Sequence, residues 1–316
     1  MARSRLIAAM CGFKAWLQLA DALGVQNVAG APFENPDECN KAGEWCTLTL
    51  DVAEYNGPSA QFLTRGYNGQ MPGPTIRISP GSPLNVAIVN GLEEDDTGLS
   101  PNSTNFHAHG LHVDPGGDDV FLHIGPGSEH KFEYQVYADH MSGSFYYHPH
   151  LHLTSSLQAG GGATGMIIID DQPGEVPEWL MNMDEKIVIV QHLDLATLAG
   201  LQTQYNGNLW EVTGSDPEAE LLLVNGQTEP VMAVEAGKWT RWRLLFSSLE
   251  SYGTFELDDA SCEMQLVAKD GAYLPEAPRA VTSLPIAPGM RCDIAVRLHQ
   301  ERVKPNKKQR KRKVYS

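Results

Sequence analysis

Short segments of alternating apolar and polar residues recur along this chain. Cys46-Thr47-Leu48-Thr49-Leu50-Asp51-Val52 alternates with the period of a strand. Ile76, Ile78, Leu84, Val86 and Ile88 alternate through two short strands split by Pro80-Gly81, and Phe132 to Val136 predicts another. Between them lie the turn-rich stretch Tyr67 to Pro74 and the acidic loop Glu93 to Asp96. Many short strands with Gly/Pro turns predict an all-β chain of sandwiches with Greek-key connections. Residues 1–40 read as a leader or arm, and 173–184, with Pro173 and Pro177, as a linker.

The second half repeats the first. Pro74 is followed by Ile76, Ile78, Gly81, Val86 and Ile88; Pro230 is followed at the same offsets by Met232, Val234, Gly237, Trp242 and Leu244. Ile124-Gly125-Pro126-Gly127 with Phe132 and Tyr134 matches Ile286-Ala287-Pro288-Gly289 with Ile294 and Val296. The offsets are 230 − 74 = 156 and 289 − 127 = 162. Two copies of one sandwich follow, over residues 41–172 and 185–298, with a tail at 299–316.

Charge and cysteine content narrow the functional classes. A formal net charge of −16 argues against general nucleic-acid binding. The eight basic and no acidic residues from Arg302 onward make the remainder more acidic still. Five cysteines are too few for a disulfide scaffold. Cys39 and Cys46 could bridge a short loop and Cys262 could reach Cys292, neither pairing being deducible from sequence. Arg3, Arg5, the apolar run Leu6 to Phe13 and Ala29-Gly30-Ala31 form a weak signal peptide interrupted by Lys14, consistent with a secreted protein; a short unprocessed helix from Ala15 to Leu23 is the alternative. Secretion would make Asn102-Ser103-Thr104 a glycosylation acceptor. No stretch is long and apolar enough to span a membrane.

Chemistry concentrates between Asn105 and Asp170, which holds nine of the eleven histidines. On a strand, residues i and i+2 share a face, so His107 and His109 present two imidazoles about 6–7 Å apart. That gap suits two neighbouring ions, and His148-Pro149-His150 repeats the arrangement beside Phe145-Tyr146-Tyr147. If the two strands face each other, four imidazoles converge. Imidazole suits copper, zinc, iron and nickel, and the stability order favours copper. One His-x-His pair arises readily by chance; two, each beside aromatic strand residues, do not. His112 and His152 extend the clusters without clear ligand roles, and His123, His130 and His140 read as solvated or supporting residues. His107-x-His109-x-x-His112 has the spacing of dinuclear zinc hydrolases, but those place an Asp where Leu111 stands and need amphipathic helices that this pattern lacks.

At these residues the chain resembles the multicopper oxidases, a family of laccases, bilirubin oxidases and bacterial copper-efflux oxidases. His107-Ala108-His109-Gly110 stands for the family's His-Trp-His-Gly, and Tyr146-Tyr147-His148-Pro149-His150 for its Trp-Tyr-His-x-His. Gln158 to Gly165, Pro72 to Ile76 and Val224 to Gln227 extend the resemblance over roughly residues 45–297. It implies tandem cupredoxin-like domains, a copper cofactor, and oxidation of a small reducing substrate with dioxygen reduced to water. It makes His107 a ligand of the type 2 copper and His109, His148 and His150 ligands of the type 3 pair. Asp118 matches the acidic residue that relays protons to bound oxygen; within Pro115 to Asp119 it reads equally as a turn residue.

Other family parts have no counterpart here. Neither Cys262 nor Cys292 has a histidine neighbour, as the electron-entry copper requires, and the second half offers only His192 and His299. The counterpart of Val136 is Leu298 (136 + 162 = 298), after which a basic tail follows. The second sandwich is therefore expected to be incomplete, with half the cluster ligands present. A third domain or partner chain would be needed for the rest, and the alternative is a non-catalytic copper-binding protein or a truncated pseudoenzyme. The tail reads as a polyanion-binding patch, a disordered terminus, or read-through from a truncated gene model.

Overall fold

A computed structural model describes residues 6–8, 30–39, 44–57, 60–94, 101–205, 212–213, 220–257 and 262–299. Most of the expected leader and the basic tail beyond His299 lie outside these residues.

Alternation becomes strands wherever one face can be buried. Cys46–Asn56 buries Cys46, Leu48 and Leu50 on one side and leaves Thr47 to solvent. It lies in a five-stranded sheet ordered Val212–Thr213, Gln61–Tyr67, Cys46–Asn56, Pro83–Asn90, Glu129–Gln135. A second five-stranded sheet runs Glu38–Cys39, Thr75–Ile78, Gly165–Ile169, Gly143–His148, His107–His109. Leu48, Ile76, Val86, Phe106, Phe132, Tyr147 and Ile167 share one buried core. Full burial of each such side chain contributes about 1.5–3 kcal/mol.

The later residues form a seven-stranded sheet. Its order is Glu220–Val224, Asp184–Asp194, Trp239–Ser247, Arg291–Leu298, Cys262–Lys269, Ala272–Tyr273, with Arg279–Val281 also on Cys262–Lys269. A three-stranded sheet of Leu6–Ala8, Gly253–Leu257 and Ser283–Ile286 accompanies it. Trp242, Phe246, Phe255, Met264, Ile286 and Ile294 belong to one core.

The internal repeat has a backbone counterpart. Adding 156 to Pro83 gives Trp239, and adding 162 to Glu129 gives Arg291, each the first residue of the matching strand. Both strand pairs are antiparallel, and each inner strand also pairs in parallel with the strand before it in the sheet order. Asn68-Gly69 and Asn225-Gly226 make the same left-handed hairpin turn, with φ of 56° and 69° in one and 51° and 74° in the other.

One sheet of the first half is buried on both faces. Along Gly143–His148 and Gly165–Ile169, Phe145, Tyr147, Ile167 and Ile169 face their own core. The alternate residues Tyr146, Met166 and Ile168 pack on Ile187, Ile189 and Leu245 of the seven-stranded sheet. A buried charge network locks this contact. Ser144 Oγ donates to Asp293 at 2.6 Å, Arg243 reaches both Ser144 and Asp293, and Arg241 bonds Asp293 and Asp171.

The stretch 173–184 is packed along its course: Val176 and Leu180, in or beside the short helix Glu178–Met181, pack on Val267 and Ala295. Several expectations need correction. Helices Ser155–Gly160 and Leu195–Tyr205 carry no clear apolar stripe in the sequence. Cys39 and Cys46 are joined, but Cys292 is a buried free thiol and Cys262 is disulfide-bonded elsewhere. Asn102 is no glycan acceptor in this fold. It is 6% exposed, its Oδ1 accepts from Arg65, and its amide donates to the Glu93 carbonyl.

Candidate metal centre

Two strands set the site. His107–His109 pairs antiparallel with Gly143–His148, placing His107 opposite His148 and His109 opposite Tyr146. The register fits the side chains: Ala108 and Tyr147 turn into the core, so the histidines turn out of it. Ligand nitrogens of His107, His109 and His148 all lie within 4.8 Å of one another.

His150 joins differently from the expected strand-borne pair. The strand ends at His148, because Pro149 has no N–H to continue a ladder. His150 is exposed just beyond the strand, with its backbone N–H donated to Asn105 Oδ1 at 2.7 Å. Its ring centroid is 5.0 Å from that of His107 and 5.6 Å from that of His148. All four predicted histidines therefore gather, three with nitrogens converged and the fourth at the rim.

Hydrogen bonds fix which nitrogen His107 and His148 offer. Asp118 Oδ2 accepts from His107 Nδ1 at 2.6 Å, leaving Nε2 with its lone pair. The Pro149 carbonyl can only accept, so His148 Nδ1 carries the proton and Nε2 is bare. That Nε2 lies 3.2 Å from His109 Nδ1. Burial, followed by the charges of Arg291 and the other histidines, holds His109 down to about 4. Burial likewise holds His148 at about 3, against the raising effect of the Pro149 carbonyl. Both rings are neutral at pH 7, the form that binds metal. Imidazoles with no carboxylate in the converged group fit a borderline transition metal such as copper and do not fit calcium or magnesium.

Asp118 sits in a turn, its N–H reaching Asp114 O at 3.2 Å, while its carboxylate faces the site. Besides His107, it accepts from the Ala108 N–H at 3.1 Å and the Tyr134 hydroxyl at 3.2 Å. Burial pushes its pKa up, but the bonds from His107 and Ala108 outweigh that and hold it below the ordinary value.

The remaining histidines stand apart. His140 is buried with both nitrogens engaged: Nδ1 donates to Met141 O and Nε2 accepts the His112 N–H. His112, His123, His130 and His152 are exposed and outside the converged group. No cysteine among the described residues offers a thiolate: Cys39, Cys46 and Cys262 are oxidised, and burial pushes the Cys292 thiol up to about 12.

Four supporting residues carry no ligand signature in the sequence. Tyr146 stacks on His109 at 4.4 Å and on His148 at 4.9 Å. Asn105 holds the His150 backbone and donates to Val120 O at 2.7 Å, tying the two motifs together. Gln158 bonds Thr104 and the carbonyls of Pro101 and Ser103, bracing the approach to His107. Arg291, from the second half, lies over the Tyr146 ring at 5.4 Å. A cleft of about 450 Å³ opens beside His109 and Gly110, walled by Lys269, Asp270 and Arg291.

Comparison with known proteins agrees with this architecture. Family models described as multicopper oxidase match residues 53–174 and 141–305, the second covering more than half of the chain. The multicopper oxidase mco of Staphylococcus aureus is 28% identical over 239 residues, covering 74% of this chain and 48% of that protein. The cell division protein FtsP of Haemophilus influenzae is 29% identical over 262 residues, covering 80% and 51%. Among solved structures, a multicopper oxidase from Campylobacter jejuni superposes with a TM-score of 0.67 at 21% identity, covering 86% of this chain and 55% of that one. A laccase from Pediococcus acidilactici gives 0.65 at 23%, covering 94% and 62%. At these identities the two structures establish the fold alone, which is all-β and built of cupredoxin-like sandwiches. The chain spans about half the length of the curated relatives it matches. On the family models and the fold together, this chain belongs to the multicopper oxidase family.

Proposed function

We propose that this chain carries half of the trinuclear copper site of a laccase-like oxidase. His107 would bind the type 2 copper, and His109, His148 and His150 the type 3 pair. The observation that carries this reading is the convergence of three imidazoles, with the metal-binding nitrogens of His107 and His148 preset by Asp118 and the Pro149 carbonyl. Copper bound there would supply one-electron redox chemistry and reduce dioxygen to water at the expense of a small reducing substrate.

The chain's own residues have defined tasks. His109 and His148 present lone pairs without prior proton loss to solvent at neutral pH. Asp118 orients His107 and holds a negative charge one hydrogen bond behind it, where it can take up and pass on protons that dioxygen reduction consumes. Tyr134 and the Ala108 N–H keep that carboxylate in place. The other ligands and the electron-entry site would come from a third domain or a partner chain. Phenols, aromatic amines and low-valent metal ions are the substrate classes of this reading. The Cys39–Cys46 disulfide supports a secreted location. No helix among the described residues is long and apolar enough to cross a membrane.

The test is copper stoichiometry and absorbance of the purified chain. The wild type should bind copper without an intense blue band, and His107→Ala/His148→Ala should lose it. Copper retained by the double variant sinks the ligand assignment, and a strong blue band sinks the claim that electrons enter elsewhere. A second reading, a non-catalytic copper-binding protein, draws on the relative named as a cell division protein. It predicts bound copper without oxygen uptake even when the remaining cluster ligands are supplied.

A further inference from the structure

We propose that Arg291 is a positioning residue that sets the oxidation-state preference of copper held by His109 and His148; this rests on the copper reading above. Arg291 belongs to the second sandwich, on the strand Arg291–Leu298, yet its guanidinium closes over the metal motif of the first. Its side chain is 6% exposed. Nη1 donates to the Gly289 carbonyl at 2.8 Å, and Nε approaches the Ser144 carbonyl at 3.4 Å, on the strand that carries His148. A Cβ on Gly110, the residue after His109, would lie 2.7 Å from Nη2. The guanidinium therefore occupies the space beside His109 where any other residue's side chain would begin.

Two consequences follow from that placement. The first is mechanical. The guanidinium lies over Tyr146, and Tyr146 stacks on both His109 and His148, so one cation steadies the planes of two imidazoles through a single ring. The second is electrostatic. The nearest carboxylate, Asp270, is 3.6 Å from Nη1 but 47% exposed, so water screens it more than it screens the buried guanidinium. An incompletely neutralised positive charge in a poorly hydrated position opposes further positive charge nearby. It raises the energy of Cu(II) at these imidazoles more than that of Cu(I). Lys269, on the same cleft, is exposed and screened, and contributes less.

The test measures Cu(II) affinity and, anaerobically, Cu(I) affinity of the full chain by competition with chelators selective for each ion. Arg291→Met removes the charge while filling the space; the Cu(II)-to-Cu(I) affinity ratio should rise at least about tenfold. Arg291→Lys keeps the charge and should leave the ratio within roughly threefold, even though its flexible ammonium positions Tyr146 less well. Asp270→Asn strips the partial counter-charge from an exposed site and should lower the ratio. It decides the matter if Arg291→Met does not fold. Equal loss of both affinities in the Met and Lys variants marks a merely structural residue and overturns the proposal. So does an unchanged ratio in Arg291→Met and Asp270→Asn. A wild-type chain that binds neither ion overturns the copper reading itself, and with it this inference. Wild-type binding with an unmoved ratio leaves the copper reading standing.

Discussion

Replacing Asp118 by Asn tests whether a preset tautomer governs metal binding. The carboxylate accepts three hydrogen bonds: from His107 through Oδ2, and from Ala108 and Tyr134 through Oδ1. Asparagine has the same shape but only one oxygen. If that oxygen faces Ala108 and Tyr134, the amide group faces His107 Nδ1, which must then accept. The imidazole proton moves to Nε2, the nitrogen proposed to bind copper. If the amide turns the other way, its N–H₂ meets two donors. Either arrangement forfeits a charge-assisted hydrogen bond of about 1.5–3 kcal/mol. Expressed as copper affinity this is a loss of roughly 10- to 100-fold. Chelator competition on the wild type and Asp118→Asn measures it, with circular dichroism to confirm an unchanged fold. A folded variant that binds copper as tightly as the wild type refutes the tautomer argument. The contact should also be insensitive to neutral pH. Asp118's folded pKa lies below its ordinary value, so its contribution is complete above the ordinary carboxylate range and fails only as pH falls through the lower folded value.

Other consequences are open to direct measurement. Asp293→Ala leaves Arg241 and Arg243 buried without their shared carboxylate and should cost about 3–5 kcal/mol in chemical denaturation; a loss under about 1 kcal/mol would contradict the network. Burial raises the pKa values of Asp293 and Glu185, but the neighbouring arginines outweigh it and hold both below normal. Stability they confer is present at neutral pH and should be lost in acid, below the ordinary carboxylate range, and Asp293→Ala should flatten that acid limb in a pH-dependent melt. Gly143→Ala should destabilise by about 2–4 kcal/mol, since φ is +147° there and the new Cβ would stand 2.4 Å from the Gly271 carbonyl oxygen. Opening the Cys39–Cys46 disulfide by Cys→Ser at both positions should lower stability by about 2.5 kcal/mol, the loop-entropy value for so short a ring, and an unchanged melting temperature would contradict it.

Periodicity made the strands legible because each has one buried face, and the match of Pro74 with Pro230 and of Gly127 with Gly289 made the repeat legible. The gathering of the four histidines was legible because two His-x-His pairs at neighbouring strands bring their rings together. What failed depended on distance in sequence or on a single residue's backbone. Pro149 alone decides that His150 leaves the strand. Asn102 looked like a surface acceptor because nothing local reveals that Arg65 and Glu93 enclose it. The packing of residues 173–184 was hidden because Val176 and Leu180 find partners as distant as Val267 and Ala295. Arg291 is an ordinary strand cation by pattern, and only the docking of one sandwich on the other brings it to Tyr146. The glycine at 162 marks the same difficulty. Its φ of 112° and a would-be Cβ 2.2 Å from Met71 Sδ are facts of close packing that a run of small residues only hints at.

The bond from Ser144 to Asp293 spans 149 positions of the chain. During synthesis, at about 5–20 residues per second, the strand bearing His148 exists for roughly 7–30 s before Asp293 has been added. Through that interval the imidazoles lack the clamp that the second sandwich later supplies. A nascent chain is then free to capture a metal in a geometry that docking must afterwards correct or trap. On the proposed copper reading, the order in which metal and second sandwich arrive shapes the centre, and copper supplied after release should yield a more uniform site than copper present throughout translation.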